Sequence, residues 1–552
     1  MIAAAALFLL ANRAAWHGWF QHDDFAHLCW TTELPAGAFL EGLISPLYPR
    51  SNVRPVGHAW YGMMGRLAGL RFGWYLAWMH ALHLLAAGLV WLLLRRLGTR
   101  PWAAAGATVF FLYHAALFDI YWHPAYVFDL LCGVFCLASL LSYATRRWLL
   151  SFVFFWLAYK SKEPAVMLPA VLACYEFSFG ERNWKRLAPF LAVSLSFGLQ
   201  GIFLNPSKDH DYAFQFTLPA FWQTVRFYTG QFAGAPWVGL AALAAAPAVW
   251  RDRRAWLGAA AFFLMLTPML FLPQRERGVY LYESMIGAAL VFAAAADRFR
   301  PVVALCFLAL WLPWNYTRLP AYRRAALAEA DENRAYVTAL EEDARRFPST
   351  KRFLWESAPA GLPGWGIEGA LRFVYRRHDP DLRYLREFPD RRSAWNWLEA
   401  ALLNWDPGAR RLFVLRRDAA PVAYAEMHGS APPWPLEEGW TPLAPGFRWT
   451  HGRATATLWR PTDARGFELV VNVGPDQFAR RGGVTVAVML NGQPLPPKEF
   501  RAEGHHRARW DLPAAPPGPV SLEIRVPPAY QLPGNDGELG AAVMGVGFIP
   551  LP

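Results

Sequence analysis

The chain has 552 residues, 55% of them hydrophobic and 16% aromatic, which is more apolar material than one soluble core needs. Its net charge is +12, yet the basic residues stand in short runs between apolar stretches rather than on one face, which argues against a nucleic-acid partner. Charged residues are sparse up to about Pro320 and frequent afterwards, so we predict a membrane-embedded part followed by a water-soluble part.

The part before Pro320 is predicted to be a polytopic α-helical membrane domain, because roughly 20 apolar residues cross the hydrocarbon core of a bilayer. The first apolar stretch has a secretory signal peptide as its rival, although no basic segment precedes it. About eleven spans are predicted, at residues 2–20, 74–94, 102–117, 126–143, 148–159, 164–179, 187–204, 227–250, 256–272, 280–296 and 302–312.

The orientation follows from the bias of lysine and arginine toward cytoplasmic loops. Alternate loops between the predicted spans are basic, and they contain Arg95, Arg96 and Arg100; Arg146 and Arg147; Arg182, Lys185 and Arg186; Arg251, Arg253 and Arg254; and Arg298 with Arg300. If these loops lie inside, the N-terminus is cytoplasmic and the region beyond Pro320 is periplasmic. The composition suits a multi-pass protein of the bacterial inner membrane.

The first predicted outer loop begins with two adjacent carboxylates, Asp23 and Asp24, next to the membrane surface. A solvated loop start is the alternative interpretation. With His22 and His27 the two acids also offer ligands for a divalent cation such as Mg²⁺ or Mn²⁺, but their spacing is not diagnostic.

A second outer loop is basic, which is disfavoured in a short translocated loop and asks for a functional reason. It contains Lys160, Lys162 and Glu163, followed by Pro164 at the predicted start of a helix. Free backbone NH groups at that helix start, next to the lysines, predict a phosphate site. Anchoring of the lysines to lipid headgroups is the alternative.

A third outer loop contains Arg275 and Arg277, whose guanidinium groups suit phosphate oxygens. Tyr280 and Tyr282 follow as candidate platforms for a sugar, with an interfacial aromatic belt as the alternative. Glu283 lies at the start of a predicted span, where an acid usually has a partner or a task.

Further candidates for substrate binding lie in other outer loops. They are Arg54, His58, Trp122 and His123. Asp209 and Asp211 could also bind a cation, but a solvated loop is the favoured interpretation of this pair.

These motifs resemble the GT-C superfamily of membrane glycosyltransferases, which use polyprenyl-phosphate-linked sugar donors at the outer side of the membrane. Asp23-Asp24 matches the acidic pair in the first outer loop of such enzymes. Within the superfamily, the membrane half is similar to TMTC-type and related protein O-mannosyltransferase-like proteins. The motifs that match in order are Arg54-Pro55, His83, Ser161-Lys162-Glu163 and Arg277-Gly278-Val279-Tyr280-Leu281-Tyr282. The resemblance covers residues 21–296, and the tetratricopeptide repeats of the eukaryotic relatives are absent.

The resemblance implies inverting transfer of a sugar from the lipid phosphate to an acceptor hydroxyl of a protein, a lipid or a glycan. A hydroxyl is a weak nucleophile, so a carboxylate must take its proton, and Asp23 or Asp24 is the predicted base. The developing charge on the departing phosphate needs positive partners, for which Lys162, Arg275 and Arg277 are the candidates. A non-catalytic envelope scaffold is the main alternative, and a transporter is less favoured because no broken helix near the midplane is evident.

Beyond Pro320 we predict a small soluble α/β module over residues 321–433, which begins with a charged amphipathic helix. Its predicted elements are a helix at 321–345, a strand at 352–355, a helix at 366–375, a helix at 394–403 and a strand at 411–415.

Residues 434–552 are predicted to form an all-β sandwich, jelly-roll-like and similar to carbohydrate-binding modules. Leu522 and Ile524 alternate with polar residues as in a half-buried strand, and Asn491-Gly492 is typical of a tight turn. Candidate sugar platforms are Trp449, Trp459, Trp510 and Tyr530, although core packing is favoured for most of them.

Overall fold

The computed structural model describes residues 1–33, 36–47, 54–200, 213–234, 237, 239–241, 251–397, 401–531 and 538–550. The chain divides into two compact units, Met1–Ala330 and Asp331–Pro552. The described part of the first unit is helical, whereas the second combines helices with sheets.

The following α-helices lie in the described part of the first unit. They are α1 (Ile2–Ala11), α2 (Asp24–Glu33), α3 (Ala36–Ile44), α4 (Pro55–Ala68), α5 (Phe72–Arg96), α6 (Pro101–Leu112), α7 (Phe118–Trp122), α8 (Val127–Ala144), α9 (Trp148–Ser161), α10 (Leu168–Ser178), α11 (Ala188–Leu199), α12 (Leu218–Ala233), α13 (Arg253–Leu266), α14 (Ser284–Arg298), α15 (Pro301–Tyr316) and α16 (Leu319–Arg346), the last of which crosses the boundary between the units.

Three helical segments of the described chain are long and apolar enough to cross a membrane, namely Phe72–Arg96, Pro124–Ala144 and Pro301–Arg346. A fourth results if Pro101–Leu112 and Ala115–Trp122, bent by 49°, form one span. The described helices thus fall short of the eleven predicted spans.

The described helices and the predicted spans differ because a hydropathy pattern does not show where the backbone leaves the α-helical conformation. Helices α9 and α13 have 14 residues each and α14 has 15, fewer than the roughly 20 that a span requires. A 3-10 turn at Glu163–Met167 follows α9, and another at Gly278–Leu281 precedes α14. The predicted spans 187–204 and 227–250 run partly outside the described residues.

Glycines let helices α13 and α14 approach closely. An added Cβ at Gly258 would lie 2.6 Å from the carbonyl oxygen of Gly287. Small residues at such crossings allow backbone-to-backbone packing of apolar helices. This contact packs the start of α14, which follows the loop that contains Arg277, against α13.

The second unit begins with a four-stranded sheet in the order β2-β1-β3-β4. Its strands are β1 (Arg352–Ser357), β2 (Asp381–Tyr384), β3 (Ala401–Asp406) and β4 (Arg411–Leu415), accompanied by helices α17 (Gly364–Tyr375) and α18 (Arg391–Trp397). Strand β1 is parallel to β2 and to β3, whereas β3 and β4 are antiparallel. Helices and a partly parallel sheet therefore form an α/β layer.

The predicted strands at 352–355 and 411–415 and the predicted helix at 366–375 are confirmed. The helix predicted at 394–403 is wrong in its second half, because α18 ends at Trp397 and Ala401 begins β3. Every residue of β3 is buried, and a short apolar run buried on both faces cannot be told from a helix by periodicity.

The remaining strands form two antiparallel sheets, in the orders β10-β9-β13-β7, with β11 beside β9, and β12-β8-β16-β5, with β6 beside β16. A further pair joins β14 and β15. These elements are β5 (Tyr424–Glu426), β6 (Arg448–Trp449), β7 (Arg453–Arg460), β8 (Ala464–Val473), α19 (Pro475–Arg481), β9 (Val484–Leu490), β10 (Gln493–Pro494), β11 (Lys498–Phe500), β12 (Gly504–Asp511), β13 (Gly518–Arg525), β14 (Tyr530–Gln531), β15 (Glu538–Leu539) and β16 (Ala542–Pro550).

One apolar core lies between the two sheets, to which both contribute side chains. The predicted alternation is confirmed, since Leu522 and Ile524 of β13 are fully buried in this core opposite Phe467 of β8. Asn491 and Gly492 both have positive φ, 48° and 79°, as a two-residue hairpin turn requires. The all-β part is therefore a sandwich of antiparallel sheets.

Candidate functional site

The two adjacent acids of the first loop lie in different environments. Asp24 begins α2 and is fully buried, whereas Asp23 is exposed. The Asp24 carboxylate accepts a hydrogen bond of 2.8 Å from the Tyr61 hydroxyl and one of 2.7 Å from the backbone NH of Gln21. Burial raises the pKa of Asp24 to about 7, although both hydrogen bonds act to lower it. The fold thus holds Asp24 in place and leaves Asp23 accessible.

A cavity of about 430 Å³ adjoins this loop. Its lining includes His22 from the loop, His123 after α7, and Arg277 from the third predicted outer loop. The rings of His22 and His123 lie 5.4 Å apart. Burial lowers the pKa of His22, the Asp23 carboxylate acts to raise it, and the Arg277 guanidinium lowers it further. Asp23 and Arg277 therefore both act electrostatically on one ring that lines this cavity.

Two other predicted cations are already paired with carboxylates. Lys162 Nζ lies 2.5 Å from Asp129 Oδ1, with side chains 11% and 2% exposed, and Arg54 Nε lies 2.8 Å from Glu163 Oε1. Burial alone would lower the pKa of Lys162, but the Asp129 carboxylate raises it above its usual value. Burial would raise the pKa of Glu163, and Arg54 brings it below its usual value instead. Lys162 and Glu163 are therefore both charged at neutral pH.

The Phe128 ring contacts both the Tyr61 partner of Asp24 and the Arg54 partner of Glu163. Its centroid is 5.9 Å from that of Tyr61, the partner of Asp24, and 5.7 Å from the Arg54 guanidinium. His58 packs on the same ring at 5.3 Å, and its Nδ1 accepts the backbone NH of Arg54 at 3.0 Å. Burial and the Arg54 charge lower the pKa of His58 to about 4, so this imidazole is neutral. Helix α4 approaches so closely that a Cβ at Gly57 would lie 2.2 Å from Phe128.

The second and third predicted outer loops meet at Tyr280. Lys162 Nζ lies 5.1 Å from the centroid of the Tyr280 ring, and Arg275 donates a hydrogen bond of 3.3 Å to the Tyr280 hydroxyl. Glu283 is buried at the start of α14, and its Oε1 has no hydrogen-bond partner among the described residues. The sequence motifs of these two loops are thus brought together in space.

Three predicted site residues occupy other places. Lys160 Nζ donates to the carbonyl oxygen of Ser45 at 2.6 Å. Trp122 is buried, with its ring centroid 4.6 Å from that of Phe118. Tyr282 is fully buried, and its hydroxyl lies 3.1 Å from His83 Nδ1.

These positions limit what the three side chains can do in this structure. A ring buried on all sides offers no face to a sugar, so Trp122 and Tyr282 pack the core here. His83 and Tyr282, matched separately in the sequence resemblance, form one hydrogen-bonded pair. Asp209 and Asp211 lie outside the described residues.

The predicted tryptophan platforms of the sandwich are also differently placed. Trp510 is 5% exposed and donates its indole NH to the carbonyl oxygen of Pro496 at 2.8 Å, so it belongs to the core. Trp459 is 37% exposed on β7. Trp449 is half-buried, and the side chain of Tyr530 lies outside the described residues.

Sequence reasoning missed two residues that organise the site, Tyr61 and Asp129. The sequence could have indicated Asp129, because it is an acid inside the predicted span 126–143, where an ionisable residue usually has a partner. Nothing in the sequence indicated Tyr61, since an aromatic residue in an apolar helix is ordinary and its partner Asp24 is 37 residues away.

Within the described part of the chain, no group of three or more histidine, cysteine, aspartate or glutamate side chains is arranged to hold a metal ion. The divalent cation stays a prediction. Comparison of the chain with protein-family models, curated proteins and solved structures finds no match.

Proposed function

We propose that this chain is a membrane glycosyltransferase of the GT-C type. It moves a sugar from a polyprenyl-phosphate donor to an acceptor hydroxyl of a protein, lipid or glycan, on the periplasmic side of a bacterial inner membrane. The observation that carries the proposal is that His22 and Arg277 line one cavity of about 430 Å³ and that the exposed Asp23 directly follows His22 in the chain. An acid beside a cavity that a cation lines supplies the groups that proton removal and phosphate departure require.

In the proposed reaction, Asp23 takes the proton of the acceptor hydroxyl while its oxygen attacks the anomeric carbon. The bond between that carbon and the phosphate oxygen breaks, and the lipid phosphate leaves with the electron pair. Arg277, which is exposed, neutralises the developing charge on this phosphate. Attack opposite the leaving group inverts the anomeric centre.

In this proposal, other predicted residues hold the loops and helix ends of the site in place. Asp24 anchors the start of α2, so that Asp23 faces solvent. The pair of Lys162 with Asp129 fixes the second loop beside Tyr280 of the third. Among the five residues predicted to bind donor phosphate, Arg277 and Arg275 are therefore the favoured ligands.

A non-catalytic envelope scaffold is the second candidate. The pairing of Lys162 with Asp129 and of Arg54 with Glu163 favours it, because a lipid phosphate at either cation would have to compete with a partner that is already present. Breaking a buried pair is costly, so these cations can serve the fold alone.

Envelope glycans of a host with and without this gene, compared by mass spectrometry, distinguish the two candidates. The transferase predicts one glycan or glycoconjugate that is lost without the gene, restored by the wild-type chain and not restored by Asp23→Asn. Asp463→Asn, an exposed acid of the second unit, is the matched control and should restore it. Unchanged glycans in every strain would support the scaffold.

A further inference from the structure

The second unit contains a buried group of charges that the proposed transfer reaction does not use. Arg448 donates a hydrogen bond of 2.7 Å to Oε2 of Glu356 on β1, and Arg391 donates to Oε1 of the same carboxylate. The side chains of Arg448, Glu356 and Arg391 are 2%, 4% and 10% exposed. One carboxylate thus faces two cations, which leaves a net positive charge in a desolvated place.

This group is also incompletely satisfied. Arg391 donates through one nitrogen to the carbonyl oxygen of Trp440 at 2.8 Å, but its Nη1 is buried and has no hydrogen-bond partner among the described residues. A buried donor without an acceptor is destabilising. Arg391 also lines a cavity of about 360 Å³, in which its guanidinium group can donate to an acceptor oxygen of a bound molecule.

The lining of this cavity has acids and bases side by side. Arg386 joins Arg391, and the carboxylates of Asp390, Glu437 and Glu438 join that of Glu356. A ligand with a large net charge of either sign would meet repulsion as well as attraction. Hydroxyl groups can bind to both kinds of side chain, because they donate hydrogen bonds to carboxylates and accept them from guanidinium groups.

Aromatic and apolar side chains complete the cavity. Tyr384 and Phe388 line it, and both are half-buried, so that part of each ring remains accessible. The CH faces of a pyranose ring pack well on such surfaces. The volume lies at the lower end of the range for small-molecule sites, roughly 300–1,000 Å³.

We propose that this cavity binds a terminal neutral sugar of a glycan. The inference goes beyond the transfer reaction, because it requires neither a lipid-linked donor nor a general base. The cavity is also distinct from the tryptophans named as platforms on the sandwich, none of which lines it.

Saturation-transfer NMR on the full chain tests this proposal. The protein is held in a detergent without a sugar headgroup, such as an amine oxide. The probes are the methyl glycosides of mannose, glucose and galactose and N-acetylglucosamine, with glucuronate and inorganic phosphate as charged comparisons. We expect saturable binding of at least one neutral probe and weaker binding of both charged ones.

Two variants locate the site. Arg386→Gln and Glu438→Gln each remove a charged hydrogen-bond partner, and each should weaken binding at least about ten-fold. Arg383→Gln and Glu499→Gln are exposed controls outside the cavity and should bind as the wild type does. Circular dichroism confirms that the variants are folded.

The outcomes separate this proposal from the transferase. Equal binding by all variants, or no binding of any neutral probe, would overturn the cavity assignment. Tighter binding of glucuronate or phosphate would overturn the neutral class. Asp23→Asn should keep full sugar binding. A wild-type chain that binds the sugar but transfers none would count against the transferase alone.

Discussion

The Tyr61 hydroxyl donates a hydrogen bond of 2.8 Å to the buried carboxylate of Asp24. Asp23, the next residue back along the chain, is exposed. The two adjacent acids thus have separate roles: Asp24 anchors the start of α2, and Asp23 is the candidate base.

Removing the hydroxyl with Tyr61→Phe should weaken the fold. Asp24 Oδ1 would keep its burial and lose its donor, which costs about 1–3 kcal/mol in the free energy of unfolding. Thermal unfolding in detergent measures this change. Tyr322→Phe, at an exposed tyrosine of the same unit, should change little, and equal effects of the two variants would contradict the assigned contact.

Asp24 should also make stability depend on pH. Its pKa is raised to about 7 in the folded protein, from about 3.9 in an unfolded chain, so the folded state binds more protons between these values. The contribution of Asp24 to stability is therefore fullest below about pH 4 and is lost as the pH rises to about 7, by as much as about 4 kcal/mol.

Unfolding temperatures measured across that pH range check this slope. Asp24→Asn should flatten the profile, because an amide does not titrate, whereas Asp23→Asn should leave the slope in place. The same slope in Asp24→Asn as in the wild type would show that another group causes it.

The pair of Lys162 and Asp129 should behave as a structural unit. Lys162→Met leaves Asp129, 2% exposed, without its cation, and should lower the free energy of unfolding by about 3–5 kcal/mol. The double variant Lys162→Met/Asp129→Leu replaces the pair by apolar side chains and should recover most of this loss.

Sugar transfer by the double variant decides the role of Lys162. A stable and active double variant is expected, since the proposal assigns this lysine to the framework. A stable but inactive one would return Lys162 to the phosphate site. Lys185→Met, at an exposed lysine, is the control for loss of charge.

The close approach of α4 to Phe128 predicts a steric effect. Gly57→Ala would place a Cβ 2.2 Å from the Phe128 ring, so the ring must move and disturb its contacts with Tyr61 and Arg54. We expect a loss of about 1–3 kcal/mol in the free energy of unfolding.

Gly88→Ala is the matched control, because it lies within α5 and its Cβ would meet nothing within 4 Å. Alanine is the better helix former, so this variant should be neutral or more stable by about 0.5–1 kcal/mol. A Gly57→Ala variant as stable as Gly88→Ala would contradict the packing at Phe128.

The sequence predicted local features better than long-range ones. The strand at Arg411–Leu415 and the turn at Asn491-Gly492 follow from alternation and turn chemistry within a few residues. The Arg54–Glu163 contact joins residues 109 positions apart, and nothing in either segment indicates the other. Each residue was predicted as part of a substrate or phosphate site, and their mutual pairing became evident only from the fold.

The two carboxylates show the same limit. An adjacent pair such as Asp23-Asp24 reads as two equivalent acids in a sequence. Which of the two is buried depends on where α2 begins and on Tyr61 from α4, and both are tertiary facts. The described helices fall short of the predicted spans for a related reason, since apolar composition does not show where a helix is broken.

The central claim is that Asp23 is the base of a sugar-transfer reaction. Its most direct test is turnover of a polyprenyl-phosphate donor, carrying a radiolabelled sugar, by the purified chain in liposomes that contain the envelope acceptor fraction. The wild type and Asp463→Asn should transfer label at equal rates, and Asp23→Asn should be slower by about 100-fold or more. Transfer by Asp23→Asn at the wild-type rate would contradict the account.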